Sequence, residues 1–395
     1  MRATFTAAAL LAGLLLAAGP SPAETVKVGI INTYSGPLAA GGEQIERGIR
    51  LYMKLHEKDL PPGTKIELVR RDDTGPNPEV AKRLAQELIT RDKVQMLAGF
   101  IWTPNVLAIA PLATEAKVPV IVMNASTALI TTKSPYIVRV SFSAWQSSYP
   151  LGTWAAKNGL KKIYTLVSDY ATGIDAETAF TTAYTEAGGA IAGAVRMPVT
   201  TPDFVPFLQR AKDAKPDAVF CFVPAAKEAT SFMKSFSDLG LATDGIRLIG
   251  PGSITPDEEL ANMGDAAIGT MTMLHYSASA DRPTNKAFVA AFKAEFGAAE
   301  TPGYYALDAY DGMAAIFHAV TAQPGAFDPD KAVEALKAWK HDSPRGPMTI
   351  DPETRDVVQN EYLRRIERID GQLRNIEIET IPMVKDPWKE RNKAR

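Results

Sequence analysis

The stretch VQMLAGFIWTPNVLAIAPLATEAKVPVIVMNAST, Val94 to Thr127, limits the possible folds more than any other part of the chain. Val94–Gly99 is a short apolar run that reads as a buried strand, and Val118–Met123 is a second, rich in β-branched residues. Between them Val106, Ile109, Ala110 and Ala113 recur at helical spacing. Strand, loop, helix and strand make one βαβ unit, whose crossover is right-handed in nearly all cases. Two polar loops, Phe100-Ile101-Trp102-Thr103-Pro104-Asn105 and Asn124-Ala125-Ser126-Thr127, then lie beyond the carboxyl ends of neighbouring parallel strands. Open α/β sheets bind ligands there. Hydroxyls, free backbone N–H groups and a bulky aromatic converge, which suits a small anion.

The flanking chain repeats this plan. Val26–Ile31 reads as a strand, followed by the loop Asn32–Pro37, a small glycine-rich run Leu38–Gly42 and a helix over Glu43–Glu57. Gly42 is a candidate for the same mouth, because unpaired N–H groups gather at helix starts. Lys65–Arg70 is the next strand, ending in Asp72-Asp73, and Asn77-Pro78 reads as the cap and first position of a helix over Glu79–Thr90. Tyr136–Val140 is a further strand, and Ser143–Ser148 reads as a polar break before a helical Tyr149–Asn158.

A second series begins at Lys162–Val167, a strand ending in Ser168-Asp169-Tyr170-Ala171-Thr172-Gly173 with a helix after it. Asp217–Val223 is a buried strand ending at Pro224, and Arg247–Ile249 is one ending in Gly250-Pro251-Gly252-Ser253. Met271–Tyr276 is expected to cross back to the first series. Helices over Asn285–Phe296, Ala306–Ala322 and Pro329–Trp339 lead into a ribbon-like end. The expected fold class is therefore α/β: two doubly wound, Rossmann-like lobes with a ligand cleft between them. Hinge strands near Arg139–Ser143, Met271–Tyr276 and Pro344–Ile350 would join the lobes and let them close on a ligand. The first lobe is taken as 24–140 plus 275–345, the second as 141–274 plus 346–385, and 386–395 as a loosely held charged tail.

A net charge of −2 over 395 residues gives no reason to expect nucleic acid or an anionic membrane as partner. Residues 1–23 read as a secretory leader: Arg2, an unbroken Ala/Leu/Gly run over Ala7–Ala18, and small Ser21 and Ala23 before Glu24. No later stretch reaches the ~18 apolar residues that a membrane span needs. A periplasmic protein, cleaved after Ala23, is expected. The lone Cys221 excludes a disulfide framework.

Reactive chemistry is hard to find. Gly250-Pro251-Gly252-Ser253-Ile254-Thr255 lacks the third glycine of a dinucleotide fingerprint, and there is no phosphate loop or nucleophile elbow. His56, His275, His318 and His341 stand far apart, with no metal-ligand spacing. No metal and no cofactor is expected. His275, beside Tyr276 at a predicted hinge, either faces the ligand or makes a plain structural hydrogen bond. Trp102 is either a core plug or a stacking surface. Ser126 and Thr127 either cap a helix or hold a ligand, and both uses employ the same hydroxyls. Asp72 and Asp73 point to opposite faces of a strand and read as turn residues. The site binds and does not react, so no enzyme is expected.

The stretches VGIINTYSGPLAAGGEQIERGIRLYM, RRDDTGPNPEVAKRLAQELI, AGF…TP, VPVIVMNAST and YYALDAYDGMAAI together resemble the periplasmic solute-binding proteins of branched-chain amino acid ABC transporters, of the type I fold. The resemblance covers almost the whole chain after the leader. It implies a monomer that captures a solute in the cleft and docks on a membrane permease. It also implies that Trp102, Thr103, Ala125, Ser126 and Thr127 stand where the family holds a ligand carboxylate. The ammonium side departs from the family: Gly252 matches an acidic residue, Gly41 a tyrosine, and Pro224 or Ala225 an aromatic. An unpaired buried ammonium costs several kcal/mol. A carboxylate without an α-ammonium is thus expected, with the small residues leaving room for a larger body. Phe100, Trp102, Tyr170, Phe222 and Tyr276 near strand ends point to an aromatic acid of benzoate or cinnamate type, with Thr172, Gly252, Ser253 and His275 completing the candidate site. Branched-chain amino acid binding, and a ligand-sensing receptor on the same fold, are the alternatives.

Overall fold

The computed structural model describes residues 24–36, 39–199, 203–224, 227–323 and 325–393. The predicted leader over 1–23, the loop residues Pro37, Leu38, Ala225 and Ala226, and the last two positions of the predicted tail lie outside them. The first series comprises β1 (Glu24–Asn32), α1 (Ala39–His56), β2 (Thr64–Asp72), α2 (Pro78–Thr90), β3 (Met96–Gly99), α3 (Thr103–Ala116), β4 (Val120–Val122) and β5 (Ile137–Arg139). The second comprises α4 (Ala144–Lys157), β6 (Lys162–Ser168), α5 (Ala171–Glu186), β7 (Ala190–Met197), α6 (Val205–Asp213), β8 (Ala218–Phe222), α7 (Lys227–Asp238), β9 (Arg247–Pro251), α8 (Leu260–Met263) and β10 (Met271–Leu274). Then come α9 (Pro283–Phe296), α10 (Tyr304–Thr321), α11 (Pro329–Leu336), β11 (Lys340–Ser343), β12 (Gly346–Ile350), β13 (Val357–Ile369), β14 (Gln372–Val384) and α12 (Pro387–Asn392).

The two sheets share one plan. The first is parallel in the order β2-β1-β3-β4-β5, and the parallel part of the second runs β7-β6-β8-β9-β10. β13 adds antiparallel to β10 and carries β12, β11 and β14. The buried runs MLAG of β3 and AVFCF of β8 are what a parallel strand covered on both faces requires. In each sheet the strand order reverses between a first and a third strand, β1 and β3 or β6 and β8. A crevice opens at such switch points. The helices α9, α10 and α11 follow the second series in sequence yet pack into the first lobe's core, Phe292, Met313 and Val333 belonging to the same hydrophobic cluster as Ile45 and Ile49.

Two expectations are corrected. Ser143–Ser148 is no break but the first turn of α4: Ser143 Oγ accepts from Gln146 N (3.2 Å) and Gln146 Oε1 from Ser143 N (2.8 Å), a capping box. β11 pairs through β12 into the second sheet, while Met348 and Ile350 of β12 pack into the first lobe's core. The chain after Pro382 is held firmly where it is described. Asp386 caps α12 and reaches buried Arg139, and Lys389 is paired with Asp356 beneath the surface. Asp72 and Asp73 act as turn acceptors, for Tyr34 N and Thr74 N and for Thr33 Oγ1 and Gly75 N respectively.

Candidate functional site

The lobes are closed on one another. Thr103 Oγ1 lies 2.9 Å from Thr127 Oγ1 in its own lobe and 3.1 Å from Thr172 Oγ1 across the cleft. Ala128 N donates to Asp175 Oδ2 at 2.8 Å, again across the cleft. Between the lobes lies a narrow cavity lined by residues of both.

Each wall comes from a strand exit. After β3 the chain turns sharply: Gly99 has φ 100°, and a side chain there would meet Ile31 O at 2.5 Å. Phe100 follows at φ 66°, a conformation a bulky residue rarely takes. This double turn breaks the alternation of the strand. Phe100 swings into the outer core, and Ile101 and Trp102 both face the cavity. After β4 the alternation persists, so Asn124 and Ser126 face inward and Ala125 packs outward beneath Phe100. Phe142 arrives from the first crossover. The second lobe contributes Tyr170 and Thr172 after β6, Phe222 and Pro224 after β8, and Ser253 after β9. Tyr304 and Tyr305, the first residues of α10, complete the lining.

Aromatic rings form two walls. Trp102 meets Tyr170 edge-on at 6.0 Å and Tyr170 meets Phe222 at 6.0 Å. Opposite them, Phe142 meets Tyr304 at 5.8 Å and Tyr304 stacks on Tyr305 at 4.5 Å. Among the described residues, no Asp, Glu, Lys, Arg or His lines the space. Burial pushes the phenols of Tyr170, Tyr304 and Tyr305 well up, so they stay neutral.

Positive potential comes from backbone instead. α3, α5 and α10 all begin at this cavity, and Trp102, Tyr170 and Gly303 at their N-caps give no side-chain cap. α2, α4, α11 and α12 are capped by Asn77, Ser143, Asp328 and Asp386, while α6 and α9, which do not reach the cavity, also lack a side-chain cap. The starts of α3, α5 and α10 bring three positive dipole ends to one place, an arrangement that suits an anion.

The structure brings together Trp102, Ser126, Tyr170, Thr172, Phe222, Pro224 and Ser253 of the residues proposed from sequence. Others lie elsewhere. Thr103 and Thr127 stand behind the wall, holding the cross-lobe hydroxyl cluster. Phe100 and Ala125 belong to the outer core. Gly42 serves a backbone approach, its carbonyl accepting from Asn32 Nδ2 at 2.9 Å, and a side chain there would collide with Thr33 O. His275 is fully buried, bonded through Nε2 to Asp308 at 2.9 Å and tilted against the rear of Phe142. Burial first, then Arg345 and Arg364, hold it well below the usual histidine range. Tyr276 packs on Phe288 in the first core, and its carbonyl accepts from Arg364 at 2.6 Å.

Nor do the small residues leave room for a ligand. A side chain at Gly252 would meet Arg364 Nη2 at 2.2 Å and Leu274 Cβ at 2.6 Å, and one at Gly41 would meet the Tyr305 ring at 3.2 Å. A guanidinium and a phenol ring occupy the vacated space. Sequence reasoning missed Ile101, Asn124, Phe142, Tyr304 and Tyr305. Asn124 was recoverable from its spacing of two from Ser126, and Tyr304-Tyr305 from the glycine before an amphipathic helix. Phe142 carries no such signal.

Residues 25–372 match the model of a family described as periplasmic binding protein. A Leu/Ile/Val-binding protein homolog of Brucella melitensis is 43% identical, the match covering 95% of this chain and 97% of that one. A solute-binding protein of an ABC transporter from Rhodopseudomonas palustris BisB5, solved in complex with 3,4-dihydroxybenzoic acid, is 51% identical with TM-score 0.89, over 92% of this chain and 99% of that one. A second R. palustris solute-binding protein, in complex with benzoate, is 31% identical with TM-score 0.84, over 92% of this chain and 98% of that one.

Proposed function

The chain belongs to the periplasmic binding protein family, and from that premise we propose that it captures an aromatic carboxylate of benzoate type between its lobes and delivers it to the permease of an ABC importer. One observation carries the reading: an uncharged cavity with two aromatic walls, onto which three uncapped helix starts open. A carboxylate gains from those N–H groups. An α-ammonium would be buried without an anionic partner, and Arg364 stands behind Gly252 where such a partner would be needed. The relatives solved with benzoate and dihydroxybenzoate support the same reading.

Trp102, Ser126, Tyr170, Thr172, Phe222, Pro224 and Ser253 are the residues from the sequence reading that we assign to ligand contact, joined by Ile101, Asn124, Phe142, Tyr304 and Tyr305. The proposal includes opening and closing of two lobes about the three crossovers, export with removal of the leader after Ala23, a monomeric state, no nucleic-acid partner, and binding without turnover. Branched-chain amino acid binding is the second reading, favoured by the name of the Brucella relative.

Thermal unfolding of the chain from Glu24 onward decides between them. A ligand at ~100 times its dissociation constant stabilises by about 2.7 kcal/mol, a rise of several degrees in the midpoint. Benzoate-type acids are expected to raise it and leucine, isoleucine and valine to leave it unmoved. The reverse result would replace the aromatic reading with the amino-acid one.

A further inference from the structure

We propose that Asp73, which does not line the cavity, is a positioning residue of the solute site: acting through Thr33, it fixes the orientation of the Trp102 ring. This rests on the reading of that cavity as the solute site.

Three strand exits meet at one carboxylate. In the parallel register of β1 and β2, Asn32 pairs with Asp72, so Thr33 and Asp73 are the next residues side by side. Asp73 Oδ1 accepts from Thr33 Oγ1 at 2.7 Å and from Gly75 N at 3.1 Å, and Oδ2 accepts from Asn105 Nδ2 of α3 at 2.8 Å. Trp102 Nε1, beyond β3, donates to Thr33 Oγ1 at 2.9 Å. Thr33, Asp73 and Asn105 are fully buried, and of these four residues only Trp102 lines the cavity.

The direction of these bonds is forced. An indole N–H only donates, an ionised carboxylate only accepts, and a threonine hydroxyl has one proton to give. Thr33 therefore accepts from Trp102 and gives its proton to Asp73. A hydrogen bond ending on an ionised group is stronger than a neutral one, and successive bonds polarise one another. The turn itself uses only the bond from Gly75 N. The bonds from Thr33 and Asn105 reach the other two exits.

The ring needs such a hold. The left-handed Phe100, two residues earlier, takes Trp102 out of the alternation of β3, so the strand does not set its facing. Across the cleft the ring meets Tyr170 of the second lobe edge-on at 6.0 Å. One orientation serves both the cavity wall and the closure, and Asp73 holds it from behind.

Two readouts test this, one of them without a solute. In a proton–nitrogen NMR spectrum the indole N–H resonance of Trp102 is identified by its loss in Trp102→Phe. Thr33→Val, which keeps the branched shape, and Asp73→Asn, which keeps the size, should both move it, and Thr33→Ser should leave it near its wild-type position. The second readout is calorimetric titration of the chain from Glu24 onward with benzoate and 3,4-dihydroxybenzoate. Thr33→Val and Asp73→Asn are each expected to weaken the better-bound acid at least about fivefold, and Thr33→Ser less than about twofold. In the Trp102→Phe background the same two changes should cost less than about twofold, because the N–H they orient is gone. Unfolding midpoints establish that each variant is folded, and the resonance alone decides if Trp102→Phe binds too weakly to titrate. A resonance unmoved by Asp73→Asn overturns the proposal. So does a loss of affinity in that variant that persists undiminished beside Trp102→Phe, since Asp73 would then act through the turn or Asn105. If neither acid binds the wild-type protein, the aromatic reading fails, while the resonance still decides whether Asp73 holds Trp102.

Discussion

Two regions lie one or two helical turns apart on α10 and differ sharply in charge. At its start, Tyr304 and Tyr305 face a cavity lined by neutral side chains, with helix ends uncapped and Asn124 Nδ2 and Ser253 Oγ unpaired. Deeper in, Asp308 and Asp311 face a charged cluster at the hinge. There Arg345 donates to Asp311 Oδ2 (2.8 Å), Asp308 Oδ1 (2.8 Å), Ser141 O (2.8 Å) and Gln359 Oε1 (2.6 Å). Ser343 adds a bond to Asp311, and His275 one to Asp308. Ser141, His275 and Ser343–Arg345 belong to the three crossovers between lobes, so one guanidinium ties all three to one helix. The binding region is walled by neutral side chains, whereas the hinge gathers a guanidinium and two carboxylates and still leaves Asp308 Oδ2, Asp311 Oδ1 and His275 Nδ1 without a partner.

The largest predicted effect tests the hinge half of this contrast. Arg345→Met would leave Asp308 and Asp311 buried without their cation. Burial already raises Asp308 well above the usual carboxylate range. At Asp311 burial acts the same way but is outweighed by Arg345 and His341, which hold it low. Breaking such a buried set costs about 3–5 kcal/mol, seen as a lower urea midpoint. Ser126→Ala at the cavity wall should cost well under half as much. Equal losses would erase the distinction between the two regions.

The cavity half was far more legible in the sequence than the hinge half. Strand exits are marked by apolar runs that stop at Ser, Thr, Gly or Pro, and Trp102, Ser126, Tyr170, Thr172, Phe222, Pro224 and Ser253 at such exits line the cavity. Facing is harder to read. Phe100 turns away from the cavity because a left-handed residue after Gly99 resets the strand alternation. His275 and Tyr276 are held by buried partners, Asp308 and Arg364, that lie 33 and 88 residues away. Spacing along a chain cannot register such pairs. The same holds for Gly252, where small size reads as room until Arg364 is seen filling it.

A smaller effect is expected at the seam between the regions. Glu258, from the second lobe, presses against Gly303 at the start of α10; a side chain on Gly303 would lie 2.0 Å from its Oε2. Burial foremost pushes its carboxyl up to about 8; its own backbone N–H opposes this, Asp257 and Glu259 add to it, and Arg364 opposes it. If opening the lobes returns Glu258 to water, its pKa falls toward 4.5. The closed form then binds the extra proton. Its advantage is complete below the lower value and is lost as pH rises through the higher one. Affinity should therefore decline between about pH 5 and 8, by no more than tenfold per unit for one proton. Glu258→Gln should flatten the profile measured by titration. An unchanged slope in that variant would remove Glu258 from closure.

The smallest effect isolates the lobe contact from ligand contact. Thr103 does not line the cavity, yet its hydroxyl joins Thr127 in its own lobe to Thr172 across the cleft. Thr103→Val keeps the branched shape at the start of α3 and removes only the hydroxyl. Thr127 and Thr172 would retain each other at 3.4 Å, so the loss is that of one net hydrogen bond, about 0.5–1.5 kcal/mol. Since that bond crosses the cleft only when the lobes are shut, the loss falls on the closed form. Affinity should drop about two- to tenfold, chiefly through faster release, while the ranking of ligands stays the same. A changed ranking would mean that Thr103 reads the solute, and the cavity would then extend one layer deeper than its present walls.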